Sequence, residues 1–501
     1  MSDIVVSVDA LGTVVPPFKV PQTHALAFAQ ANTAQDNVSP LLPRIYKNSM
    51  IENRFMSIPD FTPDSPADAK PFFSTAAGED GNFAVPVEDR FAKFKEIAEQ
   101  MVIDAATKAM AQSGTEPNDF KRIIIASSTG FLAPGLETIL VEKLGFSRDA
   151  HMSFLGFMGC AASVSGIRAA TEFCRSEPGE KALVLAIDLA SPHASFGGGI
   201  NEAVLHAIFA DGAAAIVLTG VKRSEVKAGQ VTIDGHFSRL FEGTLDGILL
   251  KIHTRGVTCV LSKFLPNYIK QGLAPVLMGY LKSRGLDRED VDHWIVHPGG
   301  TRIVEACQAS LDLPESELRH SWDVLREHGN MLGPCVMFVL EKFMADAAAA
   351  RMRGDTNNTT GLCFSFAPGV RVEGILLEFH GHDAEAVAAP QTAAPRAASG
   401  AVDSAPSGAS TPVPASVWPS FVPSVALAAY FAASTKLDRV DSVSAGLAVA
   451  SVAGLSLLTR VAMAASPSAP RKSESSTAPW VAAGLAAAVI AASYAAGAAR
   501  K

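Results

Sequence analysis

Cysteine is scarce in this 501-residue chain: there are six, Cys160, Cys174, Cys259, Cys307, Cys335 and Cys363. They stand far apart, with no Cys-x-x-Cys pair and no Cys/His ligand pair. That spacing excludes the common zinc and haem motifs, and no metal site is expected. So long and cysteine-poor a chain is not a disulfide scaffold either. Five of the six read as inert thiols in a reducing compartment. Blocks of like charge are missing too. Lys and Arg total 42 against 50 Asp and Glu, a net charge of −8, and the basic residues are scattered. A nucleic-acid partner is therefore not expected. Residues 1–10 carry Asp3 and Asp9 and no long apolar core. They are not a secretory signal, and a cytoplasmic catalytic domain is expected. Charged residues make up only 18% of the chain and hydrophobic ones 48%, which suits a large buried core and more than one domain.

What is present falls into three parts. Up to about residue 384, β-branched runs alternate with amphipathic stretches. The runs are 122–127, 182–187, 213–218, 294–297, 361–366 and 372–377, and the helical stretches are 90–112, 136–145, 161–176, 266–284, 301–311 and 334–351. Strands alternating with helices predict a layered α/β domain. The series occurs twice, before and after about residue 222, although residue identity shows no duplication. Residues 385–416 are rich in Ala, Pro, Ser and Gly. They cannot bury a core and read as a disordered linker. Residues 417–501 form an apolar helical tail with three stretches, at about 417–435, 443–465 and 480–499, each near bilayer-spanning length. Arg471 and Lys472 lie between the second and third, as the positive-inside bias would have it if all three span. Membrane association through 417–499 is the expectation. An Ala-rich hairpin lying on a membrane or on the protein is the other reading.

The chemistry centres on Cys160, in the run Gly156-Phe157-Met158-Gly159-Cys160-Ala161-Ala162-Ser163. A thiol at a helix start meets partial positive charge and free N–H groups, which lower its pKa. His297 follows a strand-like run and precedes Pro298-Gly299-Gly300, where two glycines let backbone approach a ligand closely. Asn330 follows Gly329, ahead of a helix beginning near Pro334. Joining two acyl units needs a thiolate to carry one acyl group. It also needs hydrogen-bond donors aimed at the thioester oxygen that gathers charge. Cysteine, histidine and asparagine supply this. The histidine can hold the thiolate as an ion pair and later donate to the oxyanion. Taken singly, each residue has a blander reading: an inert core thiol, one of twelve histidines, a helix cap.

Their flanks lift them above that. Met158-Gly159-Cys160-Ala161-Ala162, Trp294-Ile295-Val296-His297-Pro298-Gly299-Gly300, and Ser321-Trp322-Asp323-Val324-Leu325 with Gly329-Asn330-Met331 resemble the three signature segments of type III polyketide synthases, the chalcone-synthase-like family. Order and approximate spacing match. Asn48-Ser49-Met50-Ile51, Ser128-Thr129-Gly130, Ala133-Pro134-Gly135 and Phe209-Ala210-Asp211-Gly212 add to the resemblance, which covers roughly residues 5–380. It implies a thiolase-like fold of two similar halves, residues 1–222 with the cysteine and 223–384 with the histidine and asparagine. It further implies a homodimer that uses acyl-CoA and malonyl-CoA, with no metal and no other cofactor. Cys160 would be the nucleophile, and His297 and Asn330 would stabilise the oxyanion and assist decarboxylation. Phe209 matches one gatekeeping aromatic between CoA tunnel and cavity. Arg44 and Lys47 lie near the basic positions that bind CoA phosphates, and Gly299 and Gly300 match the loop beside the pantetheine arm.

The departures mostly remove bulk. Cys259 stands where plant members carry a second gatekeeping Phe, and Ala133 replaces a larger residue that reaches across the dimer. Ser128 and Ala190 stand at cavity positions. Gly247 opens a segment, 247–256, longer than in plant members and is grouped with the gate. Ala367 replaces a glycine in Ser365-Phe366-Ala367-Pro368-Gly369, and Asn48 stands in the slot of a family lysine. The Met-Gly-Cys-Ala-Ala and Phe-Ala-Asp-Gly forms look more like microbial members. The expectation is iterative extension of an acyl starter, most naturally a fatty acyl group, ending in an alkylresorcinol, alkylpyrone or phloroglucinol-type ring. A single-round 3-ketoacyl-CoA synthase and an inactive membrane-tethered acyl-binding scaffold are the alternatives.

Overall fold

A computed structural model describes residues 3–383 apart from 34–38, 63–70, 74–84, 197–198 and 255. The expected linker, 385–416, and tail, 417–501, lie outside the described residues. The chain opens with β1 (Ile4–Val14), β2 (Phe18–Pro21), α1 (Gln22–Asn32), α2 (Leu42–Asn48) and β3 (Asn53–Met56). Then come α3 (Val87–Ser113), β4 (Phe120–Ser127), α4 (Leu136–Leu144), β5 (His151–Gly156), α5 (Ala162–Ser176), β6 (Lys181–Leu189), α6 (Ile200–Ile208) and β7 (Asp211–Lys222). The remainder is β8 (Val231–Leu240), β9 (Ile248–His253), β10 (Gly256–Leu261), α7 (Leu265–Ser283), β11 (His293–Val296), α8 (Thr301–Leu311), α9 (Arg319–His328), α10 (Cys335–Met352), β12 (Thr359–Ala367) and β13 (Arg371–Phe379).

Nine strands form one sheet, in the order β11-β12-β13-β8-β1-β7-β6-β4-β5. Its two arms repeat one pattern. In the first, β4 is parallel to β6, β6 antiparallel to β7, and β7 antiparallel to β1. In the second, β11 is parallel to β12, β12 antiparallel to β13, and β13 antiparallel to β8. The arms meet where β1 pairs antiparallel with β8. This is the thiolase-like arrangement of two similar halves.

Burial explains the apolar runs. Side chains of a strand alternate between faces, and both faces here are covered. Ile124, Ala126 and Val184 face a layer containing Val164 and Ile167 of α5 together with Val336 and Leu340 of α10. Ile123, Ile125 and Leu185 face α3. Trp294, Leu362 and Phe364 face α7 and α8. So α5 and α10 share the middle layer between the arms. Each fully buried Ile, Leu or Val contributes on the order of 1.5–3 kcal/mol. Close approach is built in as well. A Cβ on Gly12 of β1 would stand 2.8 Å from the backbone of Ala109 on α3, and one on Gly166 of α5 would stand 2.7 Å from Val184 on β6. The loops that follow β5 and β11, and the one before α10, come together at one end of the parallel strands. That is where open α/β sheets build sites.

Candidate active site

Cys160 sits in a 3₁₀ turn, Gly159–Ala161, that leads into α5. The chain reaches it through two left-handed residues, Phe157 (φ 59°) and Gly159 (φ 58°). A Cβ on Gly159 would come within 3.2 Å of Pro368, so glycine meets both the conformation and the space. The turn is tied at both sides. Gly159 N–H donates to Ser128 Oγ (2.8 Å), and Ser365 Oγ donates to the Cys160 carbonyl (2.7 Å).

Asn330 faces the thiol, with Nδ2 3.9 Å from Cys160 Sγ and 3.1 Å from the Gly299 carbonyl. Its orientation is fixed because Oδ1 accepts from Leu332 N–H (2.8 Å), which turns the NH₂ group toward the cysteine. Its backbone bridges that of Phe209. His297 lies beyond Gly299: a Cβ on Gly299 would stand 3.4 Å from His297 Nε2. The chain of neighbours therefore runs Cys160, Asn330, Gly299, His297, and the structure brings the three sequence-predicted residues together. His297 is 1% exposed, and neither ring nitrogen has a hydrogen-bond partner among the described residues. Buried polar groups are nearly always paired, so the ring nitrogens have capacity left for a ligand atom or water.

The electrostatics amend the expectation of a thiol acidified by a helix start. Cys160 is half-buried by surface area and surrounded by protein. Burial pushes its pKa well up, nearby Cys259 and Cys335 add to this, and the Asn330 amide opposes it. Burial also holds His297 down, to about 3. A thiolate or an imidazolium alone is thus disfavoured here.

A cavity of about 360 Å³ adjoins the site through Ser128 and Leu332, which bond Gly159 and Asn330, although Cys160, Asn330 and His297 are not in its lining; its size is within the range of small-ligand sites. Ser128, Ala190, Phe209 and Cys259 line it, as does Leu332. It continues to Val20, Phe28, Phe61 and Phe196.

Two family models match the chain: "FAE1/Type III polyketide synthase-like protein" over residues 75–234, and "Chalcone and stilbene synthases, C-terminal domain" over residues 237–380. The chain is 37% identical over 338 residues to the "Alpha-pyrone synthesis polyketide synthase-like Pks18" of Mycobacterium tuberculosis, across 67% of this chain and 82% of that protein. The chain belongs to the type III polyketide synthases. The crystal structure of PKS-I from the brown alga Ectocarpus siliculosus superposes with a TM-score of 0.72 at 44% identity, covering 75% of this chain and 98% of that one. The 3,5-dihydroxyphenylacetyl-CoA synthase of Amycolatopsis orientalis is 26% identical over 375 residues, across 74% of this chain and 92% of that protein. As a type III polyketide synthase, this protein is an acyltransferase that joins acyl units by decarboxylating condensation.

Other residues singled out in the sequence of this synthase fall in three places. Arg44 and Lys47 lie on the exposed side of α2. The end of α2 touches the start of α8, where Thr301 Oγ1 donates to the carbonyls of Asn48 (3.0 Å) and Ser49 (2.9 Å). Lys47 is therefore close to Gly299 and Gly300, the latter at φ 138°. Two residues grouped with the gate and cavity stand outside the cavity lining. Ala133 is on an exposed loop near Phe131. Gly247 roots the β9–β10 hairpin, and a Cβ there would meet Val370 at 2.3 Å, so it serves close packing.

Sequence reasoning missed the supports of the site. Asp188, fully buried at the end of β6, accepts from Ser128 N–H (2.7 Å), Thr129 N–H (3.1 Å), Thr129 Oγ1 (2.9 Å) and Gly333 N–H (3.0 Å). One carboxylate thus joins the loop that holds Gly159 to the loop that follows Asn330. Burial raises its pKa to about 6 against these donors. Arg54, also buried, donates from Nη1 to the carbonyls of Phe209 (2.8 Å) and His206. The legible signal for Asp188 was a charge ending an otherwise apolar strand run, Leu183 to Leu189.

Proposed function

We propose that this synthase loads a fatty acyl-CoA starter on Cys160, extends it with malonyl-CoA and cyclises the chain in the same cavity. One observation carries the catalytic part: the Asn330 amide is turned toward the Cys160 thiol and bonded to Gly299, against which lies the buried His297 ring, unpartnered among the described residues. In loading, the Cys160 thiolate attacks the starter thioester carbonyl. The oxyanion takes hydrogen bonds from Asn330 and His297, and CoA leaves with a proton. In extension, malonyl-CoA loses carbon dioxide, and the enolate oxygen is held by the same two donors. The enolate carbon then attacks the acyl-Cys160 thioester, freeing the thiolate and giving a β-ketoacyl-CoA lengthened by two carbons. The lengthened chain returns to Cys160, and the last intermediate closes to an alkylresorcinol, alkylpyrone or phloroglucinol-type ring. CoA phosphates would lie toward Arg44 and Lys47, with the pantetheine arm passing Gly299 and Gly300.

The fatty character of the starter rests on the cavity wall. Cys259 and Ala190 are small, and the space beyond Phe209 is walled by Val20, Phe28, Phe61 and Phe196. That apolar stretch suits an alkyl chain, while Ser128, Thr129, His193 and Glu202 put polar groups elsewhere in the lining. The working unit is proposed to be a homodimer, because among the described residues β5 ends the sheet with an open edge and Phe131, Phe154 and Phe157 stand exposed near it. Purified protein incubated with malonyl-CoA and a series of acyl-CoAs from acetyl to long-chain, with products identified by mass spectrometry, tests the starter. Ring products carrying long alkyl chains are expected. Product from malonyl-CoA alone or from short starters only would replace the fatty reading with the phloroglucinol-type one. Accumulation of a single-round β-keto product would point to a 3-ketoacyl-CoA synthase.

A further inference from the structure

The two gate residues are held by the two ends of one short helix. At the C-terminal end of α6, buried Arg54 grips the carbonyls of His206 and Phe209, and so sets the backbone that carries the Phe209 ring. At the N-terminal end, Asn201 reaches to the hairpin that carries Cys259. Its Nδ2 donates to the Cys259 carbonyl (2.8 Å), and its Oδ1 accepts from Leu261 N–H (3.2 Å). On its other side β10 pairs with β9, Cys259 opposite Leu250. The outward edge of β10 would otherwise offer this carbonyl and N–H unpaired. The primary amide, with one donor and one acceptor in a fixed fork, takes the place of a neighbouring strand. Neither Asn201 nor Leu261 lines the cavity, whereas Cys259, Leu250 and Val257 do. Asn201 therefore touches the wall from behind.

We propose that Asn201 is a positioning residue for acyl selection: its side-chain amide fixes the edge of β10 and thereby the distance at which Cys259 faces Phe209. This rests on the reading that Phe209 and Cys259 flank the acyl path. Without the amide, the hairpin holds its β9 pairing but loses its tie to α6, and the opening between the gate residues is no longer set. The thiol, amide and imidazole stay in place, because the Asn330 backbone is pinned to Ile208 and Ala210 at the opposite end of α6 from Asn201.

The test compares Asn201→Ala and Asn201→Asp with the parent enzyme. The aspartate is nearly isosteric and keeps the acceptor for Leu261 N–H, but it loses the donor to Cys259. Two quantities are read: kcat/KM across a series of acyl-CoA starters, and decarboxylation of malonyl-CoA without a starter. The expected result is a change of about tenfold in the ratio of long- to short-starter kcat/KM, with decarboxylation unchanged. Cys259→Phe serves as the control for the gate itself. If Cys259→Phe shifts the starter profile and both Asn201 variants leave it unchanged, the inference is overturned and the gate reading stands. If none of the three shifts it, the gate reading falls and the inference with it. If decarboxylation and all starters decline together, Asn201 is merely structural and the inference is again overturned.

Discussion

At the scale of single residues, the thiol and the imidazole have to be treated as a pair. Burial raises the Cys160 pKa and lowers that of His297, so each alone is neutral near pH 7. On the proposed mechanism the proton moves from sulfur to ring when substrate binds, creating two charges that would stabilise each other beside the start of α5. Removing His297 leaves the Asn330 amide as the side-chain contact that still opposes burial. A raised thiol pKa means less thiolate at pH 7 and a reaction rate that climbs with pH until that pKa is passed. In His297→Ala, alkylation of Cys160 by iodoacetamide at pH 7 should fall by about tenfold for each unit of pKa rise. Mass spectrometry of the modified peptide follows this directly. An unchanged rate at pH 7, still flat toward pH 9, would show that the helix start alone holds the thiolate. The three residues proposed to react were legible in the sequence because their flanks are local. Asp188, Arg54 and Ser365 were not, since their roles lie in partners far along the chain: Gly333, Phe209 and Cys160.

At the scale of elements, the strands read from the sequence were the doubly buried ones, whose apolar runs are continuous. β4, β6, β7, β11, β12 and β13 all lie where the runs put them. β5 was missed because only part of it is covered: His151 and Phe154 stand exposed, which breaks the run. β1 and β8, which join the two arms, carry Asp9, Asp234 and His236 and lack an uninterrupted run. The exposed side of β5 has a consequence. An open strand edge flanked by Phe154 and Phe157 is a pairing surface. Phe154→Glu should shift the proposed dimer toward monomer, read by analytical ultracentrifugation at micromolar concentration. A variant that remains as dimeric as its parent would put the interface elsewhere.

At the scale of the whole molecule, the repeat in the sheet explains why the site needs both arms. Cys160 precedes α5 and then β6. Asn330 precedes α10 and then β12, and α5 and α10 pack together in the middle layer. The nucleophile and the amide thus occupy corresponding places in the two halves and meet across their junction. Residue identity hid this repeat because α5 and α10 share a place in the fold rather than side chains. On the proposed reading, loading and condensation need the thiol from the first half, and decarboxylation of malonyl-CoA needs only the two donors from the second.

That division is the central claim, and one variant separates its parts. Cys160→Ala, assayed with labelled malonyl-CoA and an accepted starter, should release carbon dioxide slowly and form acetyl-CoA while making no extended product. Chain extension at the parent rate in Cys160→Ala would contradict the account.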